Sequence, residues 1–317
     1  MTLKGKVLPS GGTIGVPAPA WPYFNRSEVL RGVEWWEQRG YHVKLSDGIY
    51  ARTGYVAGAP QDRAKDLMAM FADDEVDVVQ CFDAGYGSAQ VIPHVDFDVI
   101  RANPKAFIGY SDVTALHQAI RHHTDLVTFY GPLFSTINWP EAKEFNAERM
   151  MKALTTSEPL GEVPRDPEDG YLRVFNGGVV SGTMVGGCLW LLGQTIGTPW
   201  QIDLRDKIFF FEDVSLPPWY ADGLLNQMTQ AGMFEGVLGV VVGHLEACDW
   251  RNTPHDWPGR YSIEDVLEDY IEPLGVPTIY GLPMGHGNYI ATTPLGVTVT
   301  LDAEARVLTI DEAALNG

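Results

Sequence analysis

The chain has 317 residues, of which 45% are hydrophobic and 20% are charged, a balance typical of soluble globular proteins. Its formal net charge of −19 argues against nucleic acid and anionic membrane surfaces as partners, because like charges repel. No apolar run approaches the roughly 20 residues that span a bilayer, and residues 1–15 lack the apolar stretch of a secretory signal. We therefore expect a cytoplasmic protein.

The cysteines indicate neither a disulfide framework nor a metal site. There are three of them, Cys81, Cys188 and Cys248, and their spacing matches no zinc-binding pattern. We expect buried free thiols, no bound metal and no cofactor.

The first half of the chain alternates helix-like and strand-like stretches, which predicts a parallel α/β sheet. Apolar residues at helical spacing predict a first helix over 27–40, with Ser27 as its N-cap and Gly40 at its exit. The segments that follow are a strand at 41–47, a helix at 59–73, a strand at 76–83, a strand at 106–110 and a helix from 111 to 123.

The second half has a different character. Residues 157–170 are dense in proline, glycine and acidic residues and are the predicted linker. Residues 1–156 would then form an N-terminal α/β domain. Residues 171–317 contain short strand-like units separated by glycine and proline, with clear helices only at 221–232 and 262–275. We expect a β-rich C-terminal domain with few helices.

Ser111 lies where a strand runs directly into a helix. A serine nucleophile must be exposed and close to backbone N–H donors, and a helix N-terminus supplies such donors. The general nucleophile pattern G-x-S-x-G is not met, because Val113 occupies its last position. The alternative is that Ser111 and Asp112 only cap the helix, and this segment alone favours capping.

A serine hydrolase also needs a histidine base and an orienting carboxylate. Among the eight histidines, His286 is distinctive because Gly285 and Gly287 flank it immediately after a strand-like segment. Glu212 and its neighbour Asp213 end a very apolar strand, and Glu246 is a rival in a similar local context. From the residues alone, the choice of carboxylate stays open.

Taken in order, several segments resemble the LD-carboxypeptidase family of serine peptidases, which includes the microcin C immunity-type hydrolases. They include GGTIGVPAPA, AGYGSAQVIP, AFIGYSDVTALHQAI, TFYGP, KIFFFEDV and GLPMGHG. The resemblance implies a triad of Ser111 as nucleophile, Glu212 as orienting carboxylate and His286 as base. It also implies an oxyanion hole from the backbone N–H groups of Gly85 and Asp112, a site between two domains, and a homodimer.

The chain departs from the family pattern at three loops, where Ala20, Ala84 and Cys188 replace the usual serine, glycine and asparagine. None of these changes removes a triad residue, but each alters the surroundings in which a substrate would bind. The segment after Glu246 is rich in aromatics, and we expect Trp250 and Trp257 to line the substrate pocket. The alternative for both tryptophans is packing or loop anchoring.

The resemblance implies hydrolysis through an acyl-enzyme, at an amide bond between an L-centre and a terminal D-amino acid. The substrate would be a muropeptide tetrapeptide from cell-wall recycling. The first alternative is a microcin C immunity-type hydrolase that cleaves peptidyl- or aminoacyl-nucleotide amides. The second alternative, from another class, is a non-catalytic ligand-binding module that keeps the fold.

Overall fold

The computed structural model describes residues 2–137, 144–249 and 261–317. Its strands are β1 (Thr13–Val16), β2 (His42–Leu45), β3 (Val78–Gln80), β4 (Ala106–Gly109), β5 (Thr128–Tyr130), β6 (Gly161–Glu162), β7 (Arg173–Asn176), β8 (Val179–Cys188), β9 (Lys207–Val214), β10 (Gly239–Glu246), β11 (Thr278–Tyr280), β12 (Thr293–Leu295), β13 (Thr298–Asp302) and β14 (Val307–Ile310). Its helices are α1 (Arg26–Glu37), α2 (Pro60–Ala72), α3 (Phe97–Ala102), α4 (Thr114–Thr124), α5 (Glu144–Thr155), α6 (Leu189–Gln194), α7 (Pro218–Gln230) and α8 (Ile263–Tyr270).

The first sheet has the strand order β12-β5-β4-β3-β1-β2. Strands β1 to β5 are parallel, and only the edge strand β12 is antiparallel to its neighbour. Helices α2, α3 and α4 contribute buried side chains to one apolar cluster, and α1 and α5 contribute to another. Because helices cover it on both sides, β4 is buried along its whole length and reads as an apolar run.

The second sheet has eight strands in the order β6-β14-β13-β8-β9-β10-β11-β7. Its four central strands, β8 to β11, are parallel, and the others are antiparallel. Helices α6, α7 and α8 cover one face, while the other face shares an apolar cluster with the first sheet. The prediction of a parallel-sheet α/β unit followed by a β-rich unit with a few helices is confirmed. Helix α6 went unpredicted because six residues are too few to show a helical period.

Two features of the sheets extend across the predicted domain boundaries. Strand β6 lies inside the predicted linker 157–170 and pairs with β14 at the edge of the second sheet. Strand β12 belongs to the predicted C-terminal domain, yet it pairs with β5 in the first sheet. The domain limits at 1–156 and 171–317 therefore stay a prediction. In the structure, one strand of the predicted C-terminal domain belongs to the first sheet, and one strand of the predicted linker belongs to the second.

The start of α1 differs from its prediction. The N-cap is Asn25 rather than Ser27, and the helix begins at Arg26. The Glu28 carboxylate accepts hydrogen bonds from the Phe24 N–H at 2.9 Å and from the Asn25 side-chain amide at 3.0 Å. The acidic side chain of the first turn therefore fixes the residues that precede the helix, while the N-cap Asn25 makes no side-chain hydrogen bond to a helix N–H.

Two expectations from composition concern the whole molecule. Cys81, Cys188 and Cys248 are all buried free thiols, as predicted. Among the helices of the described ranges, none is both long and apolar enough to cross a membrane.

Candidate active site

The structure brings together the three residues predicted to form a triad. Ser111 follows β4, Glu212 lies in β9 of the other sheet, and His286 lies in the loop after β11. His286 Nε2 is 3.1 Å from Ser111 Oγ, and His286 Nδ1 is 2.7 Å from Glu212 Oε2. A hydroxyl, an imidazole and a carboxylate are therefore linked in one hydrogen-bonded series, in the order that proton transfer from serine requires.

Ser111 adopts a backbone conformation that its sequence did not reveal. Its φ is +62°, in the left-handed region that non-glycine residues rarely enter at a cost of about 1–2 kcal/mol. The residue is half-buried, at the point where β4 ends and a single 3₁₀ turn leads into α4. Such a strained strand-to-helix turn is typical of hydrolase nucleophiles, because it projects the hydroxyl beyond the sheet edge.

Glu212 is fully buried, and both of its carboxylate oxygens are hydrogen-bonded. Oε2 accepts the backbone N–H of His286 at 2.8 Å in addition to the His286 ring, while Oε1 accepts the Tyr130 hydroxyl at 2.5 Å. Of the two rival carboxylates, Glu212 contacts the ring of His286, whereas Glu246 is exposed and makes no hydrogen bond to that ring in the described structure.

The glycine before His286 has a steric function. Gly285 has a φ of +99°, and a Cβ at this position would lie 2.1 Å from Glu212 Cγ. Only a residue without a side chain lets the histidine loop pass over the buried carboxylate. The close approach of Glu212 thus explains the glycine that precedes His286.

The surroundings of His286 adjust its basicity. Burial by itself lowers the pKa of His286, but the Glu212 charge and hydrogen bond, with smaller contributions from Asp213 and Glu246, outweigh burial. The net pKa of His286 therefore lies above its ordinary value of 6.5. The ring of Tyr110 also packs against it, with ring centroids 4.9 Å apart.

Asp112, predicted as a backbone donor, also has a structural use for its side chain. The carboxylate is buried and accepts the Ser88 N–H at 2.8 Å, while the Asp112 carbonyl accepts the Ser88 hydroxyl. Arg63, also buried, donates to the Gly87 carbonyl at 2.8 Å. The loop 85–88 is thereby held against the Ser111 turn from two sides.

Gly85, the other predicted oxyanion donor, lies in that same loop. Its φ is +87°, and a Cβ here would come within 2.1 Å of the Trp21 ring. The loop must therefore have glycine at this position to pass beneath Trp21. The roles of the Gly85 and Asp112 N–H groups toward an oxyanion stay predictions.

A cavity of about 500 Å³ opens beside the histidine loop. Its described lining contains six carboxylate residues and one histidine, and none of its described lining residues is lysine or arginine: Asp166, Glu168, Asp169, His244, Glu246, Asp249 and Glu264. This lining would attract a cationic portion of a ligand and repel an anionic one. Trp250 and Trp257, predicted to line the substrate pocket, lie outside the described residues.

Tyr130 and Arg63 are the polar residues of the site that the sequence reasoning did not assign. Tyr130 lies in the TFYGP segment, and its position at the end of a wholly buried strand was the available signal. A buried tyrosine hydroxyl generally finds a polar partner, which directs attention to the nearest buried acid. Arg63 sits on the apolar face of α2, where a buried cation likewise requires acceptors.

The described residues contain no group of three or more histidine, cysteine or acidic side chains arranged to hold a metal ion. The site consists of a buried carboxylate, a histidine of raised pKa and a serine on a strained turn. The fold and this site define a serine hydrolase of two α/β units.

Comparison with known proteins identifies the family. The model of the LD-carboxypeptidase N-terminal domain matches residues 14–131, and that of the C-terminal domain matches residues 181–301. The chain belongs to the LD-carboxypeptidase family of serine peptidases, which makes it a hydrolase of the serine carboxypeptidase class. The predictions of family, fold class and enzyme class are confirmed.

Relatives of two kinds share the full length of the chain. It is 34% identical to a protein of Bacillus subtilis named "Probable murein peptide carboxypeptidase", over all of this chain and 97% of that protein. It is 26% identical to the microcin C7 self-immunity protein MccF of Escherichia coli, over 98% of this chain and 96% of MccF.

Solved structures show the same architecture. A muramoyltetrapeptide carboxypeptidase from Oxalobacter formigenes is 25% identical, with a TM-score of 0.81 over 95% of this chain and 99% of that one. MccF in complex with glutamyl sulfamoyl guanosine is 24% identical, with a TM-score of 0.87 over 99% of this chain and 100% of that one, and this likeness shows the fold alone.

Proposed function

We propose that this protein is an LD-carboxypeptidase that releases the terminal D-amino acid from muropeptide tetrapeptides, with Ser111, His286 and Glu212 as its triad. The hydrogen-bonded series from Ser111 Oγ through His286 to Glu212 carries the proposal. The 34% identity to a murein peptide carboxypeptidase over the whole chain supports the choice of substrate.

In the acylation step, neutral His286 takes the hydroxyl proton through Nε2 while Ser111 Oγ attacks the carbonyl carbon of the scissile amide. Glu212 holds the ring through Nδ1 and stabilises the imidazolium that forms. The negative charge on the carbonyl oxygen would be held by the N–H groups of Gly85 and Asp112, each contributing about 3–4 kcal/mol in comparable sites.

The imidazolium then returns the proton to the amide nitrogen, the C–N bond breaks, and the D-amino acid leaves as a free amine. In deacylation, His286 takes a proton from water as the water oxygen attacks the ester carbonyl. The ester bond to Ser111 Oγ breaks, the proton returns to Oγ, and the tripeptide leaves as a carboxylic acid. Every proton is transferred through one imidazole, so no external cofactor enters the cycle.

A second candidate function is cleavage of peptidyl- or aminoacyl-nucleotide amides. The 26% identity to MccF over nearly the whole chain favours it as the alternative. The same triad would attack the aminoacyl carbonyl, and the nucleotide portion would replace the D-amino acid as leaving group. The two functions differ in the leaving group and share the acyl-enzyme.

The test is turnover of two substrates by the purified chain, a tetrapeptide ending in D-alanine and an aminoacyl sulfamoyl adenosine. We expect release of D-alanine, and Ser111→Ala should lower kcat by about 10³-fold or more. Release of the nucleoside without release of D-alanine would replace the first function by the second.

A folded protein that neither turns over an amide nor reacts with a serine-directed covalent probe would indicate the non-catalytic binding module. Probe labelling that disappears in Ser111→Ala would contradict that module. We further infer a homodimer from the family resemblance and a cytoplasmic location from the sequence composition, which light scattering and cell fractionation would test.

A further inference from the structure

A single tyrosine hydroxyl contacts both ends of the triad. Tyr130 is the last residue of β5 in the first sheet, and it is 1% exposed. Its oxygen accepts the backbone N–H of Ser111 at 3.1 Å and donates its proton to Glu212 Oε1 at 2.5 Å. Ser111 follows β4 of the first sheet and Glu212 lies in β9 of the second, so this hydroxyl joins the two ends of the triad across the interface between the sheets.

On the basis of the proposed function, we propose that Tyr130 is a positioning residue, which fixes the Glu212 carboxylate and the Ser111 turn in the geometry that the triad requires. Its hydroxyl binds the Ser111 backbone N–H and Glu212 Oε1, so it acts through these two residues.

The first part of this role concerns Glu212. Its Oε2 accepts two hydrogen bonds from His286, and these fix the position of that oxygen. The Tyr130 hydroxyl donates to Oε1 and so fixes the second oxygen, which together with the first defines the plane of the carboxylate. Without this donor the fully buried carboxylate would keep an unpaired oxygen, which is costly, and its plane would be held only from the Oε2 side.

A neutral hydroxyl is a better donor to Glu212 Oε1 in this reaction than a cationic side chain would be. Lysine or arginine at this position would pair with the Glu212 charge and weaken its hold on the imidazolium. A neutral tyrosine hydroxyl satisfies the oxygen and leaves the Glu212 carboxylate charged. Burial, followed by the nearby Glu212 charge, raises the pKa of Tyr130 well above its usual 10, so the proton stays on the donor.

The second part concerns Ser111. Ser111 has a positive φ, and its backbone N–H donates to the Tyr130 hydroxyl. The N–H of the nucleophile itself is therefore committed to the protein, which leaves the oxyanion to other donors. The hydroxyl thus stabilises a turn that the Ser111 backbone would not adopt alone.

The experiment is Tyr130→Phe, compared with Tyr270→Phe as a matched control. Tyr270 also donates its hydroxyl to a carboxylate, that of Asp222 at 3.0 Å, but between α8 and α7 and outside the triad. We expect Tyr130→Phe to lower kcat about tenfold to a hundredfold, with KM changed by less than about threefold. Tyr270→Phe should leave kcat unchanged.

The pH profile gives a readout that a purely structural role would not change. Removing the donor from Oε1 concentrates the Glu212 charge on His286, so the acid limb of kcat should move to higher pH in Tyr130→Phe. Site-specific 3-fluorotyrosine at position 130 keeps the hydroxyl and makes it a stronger donor, so the limb should move to lower pH. This second variant also tests the proposal if Tyr130→Phe does not fold.

A folded Tyr130→Phe with wild-type kcat and acid limb would overturn the positioning role, as would a fluorotyrosine variant with an unshifted limb. Ser111→Ala, assayed beside them, separates this failure from that of the proposed function. Full activity of Ser111→Ala would refute the triad itself, whereas an inactive Ser111→Ala with an unaffected Tyr130→Phe would refute only the role of Tyr130.

Discussion

Two strand ends supply the serine and the carboxylate of the site, and each carries a consecutive pair of polar residues. Ser111 and Asp112 follow β4, whereas Glu212 and Asp213 lie near the end of β9. In each pair, the first residue belongs to the hydrogen-bonded triad. The second is a buried aspartate that binds backbone N–H groups: Asp112 accepts from Ser88, and Asp213 accepts from Trp190 at the start of α6.

The difference between the two ends lies in strain and exposure. Ser111 is half-buried on a turn of positive φ, whereas Glu212 is fully buried in a strand with extended pairing. A nucleophile must meet substrate, and a strained turn projects it. An orienting carboxylate acts most strongly when water does not screen its charge, and the buried strand β9 keeps Glu212 away from water. The strained turn thus gives Ser111 access to substrate, whereas burial strengthens the electrostatic effect of the Glu212 charge.

The largest expected effect is at the triad member of β9. Glu212→Gln keeps the size of the side chain but removes the charge that stabilises the imidazolium of His286. We expect kcat to fall by about 10⁴-fold, as for comparable substitutions in other triads. Steady-state kinetics with the tetrapeptide measures this loss. A decrease of less than about tenfold would mean that the buried end of the site contributes no electrostatic stabilisation.

An intermediate effect is expected at the aspartate of the β4 end. Asp112→Asn removes one carboxylate oxygen that holds the loop of Gly85, so kcat/KM should fall about tenfold to a hundredfold. The matched control is Asp96→Asn, because Asp96 also accepts a backbone N–H, from Asp98, but at the exposed start of α3. Equal kcat/KM for both variants would show that the Asp112 side chain does not position the loop.

The smallest effect on activity is expected at the aspartate of the β9 end. Asp213 binds Trp190 and Val214 rather than the triad, so Asp213→Asn should change kcat by less than about threefold. Its effect should appear in stability instead. Burial, and then the Glu212 charge, raise the pKa of Asp213 to about 6.

The sign of this stability effect follows from linkage. An unfolded aspartate has a pKa of about 3.9, so the folded state binds the proton more tightly between that pH and about 6. The stabilisation is full below pH about 4 and is lost as pH rises through 6, a change of at most about 3 kcal/mol in the free energy of unfolding. Denaturant titrations of both proteins from pH 4 to 7 test it: their difference should change over this window, and a constant difference would contradict the prediction.

The sequence predicted the architecture because hydrophobic periodicity reports burial directly. The buried run of β4 and the apolar run of β9 each ended at a residue of the site, and both ends were identified from the residue pattern. Local pattern alone favoured capping for Ser111 and left Glu212 and Glu246 as rivals. Family resemblance resolved these choices, since the partners of a triad are distant in sequence and no local signal joins them.

Other features depend on tertiary geometry. The positive φ of Ser111 could not be predicted from the sequence, because the residue is neither glycine nor asparagine, the types that commonly adopt this conformation. Tyr130 contacts Glu212 only because β5 and β9, in separate sheets, approach at one point. Pairing of β12 with β5 was not predictable either, because a three-residue strand has no periodicity and its neighbour in sequence, β13, joins the other sheet.

The pairing of β12 with β5 has a consequence for the order in which the protein folds during synthesis. The edge of β5, which ends at Tyr130, acquires its partner only when residues 293–295 leave the ribosome. Until then, the first sheet presents an open edge to any chaperone or neighbouring strand. The contact is also of very long sequence separation, a kind that forms slowly. The nascent chain thus contains Ser111 long before β12 pairs beside Tyr130, and hydrolytic activity should appear only after residues 293–295 have been synthesised.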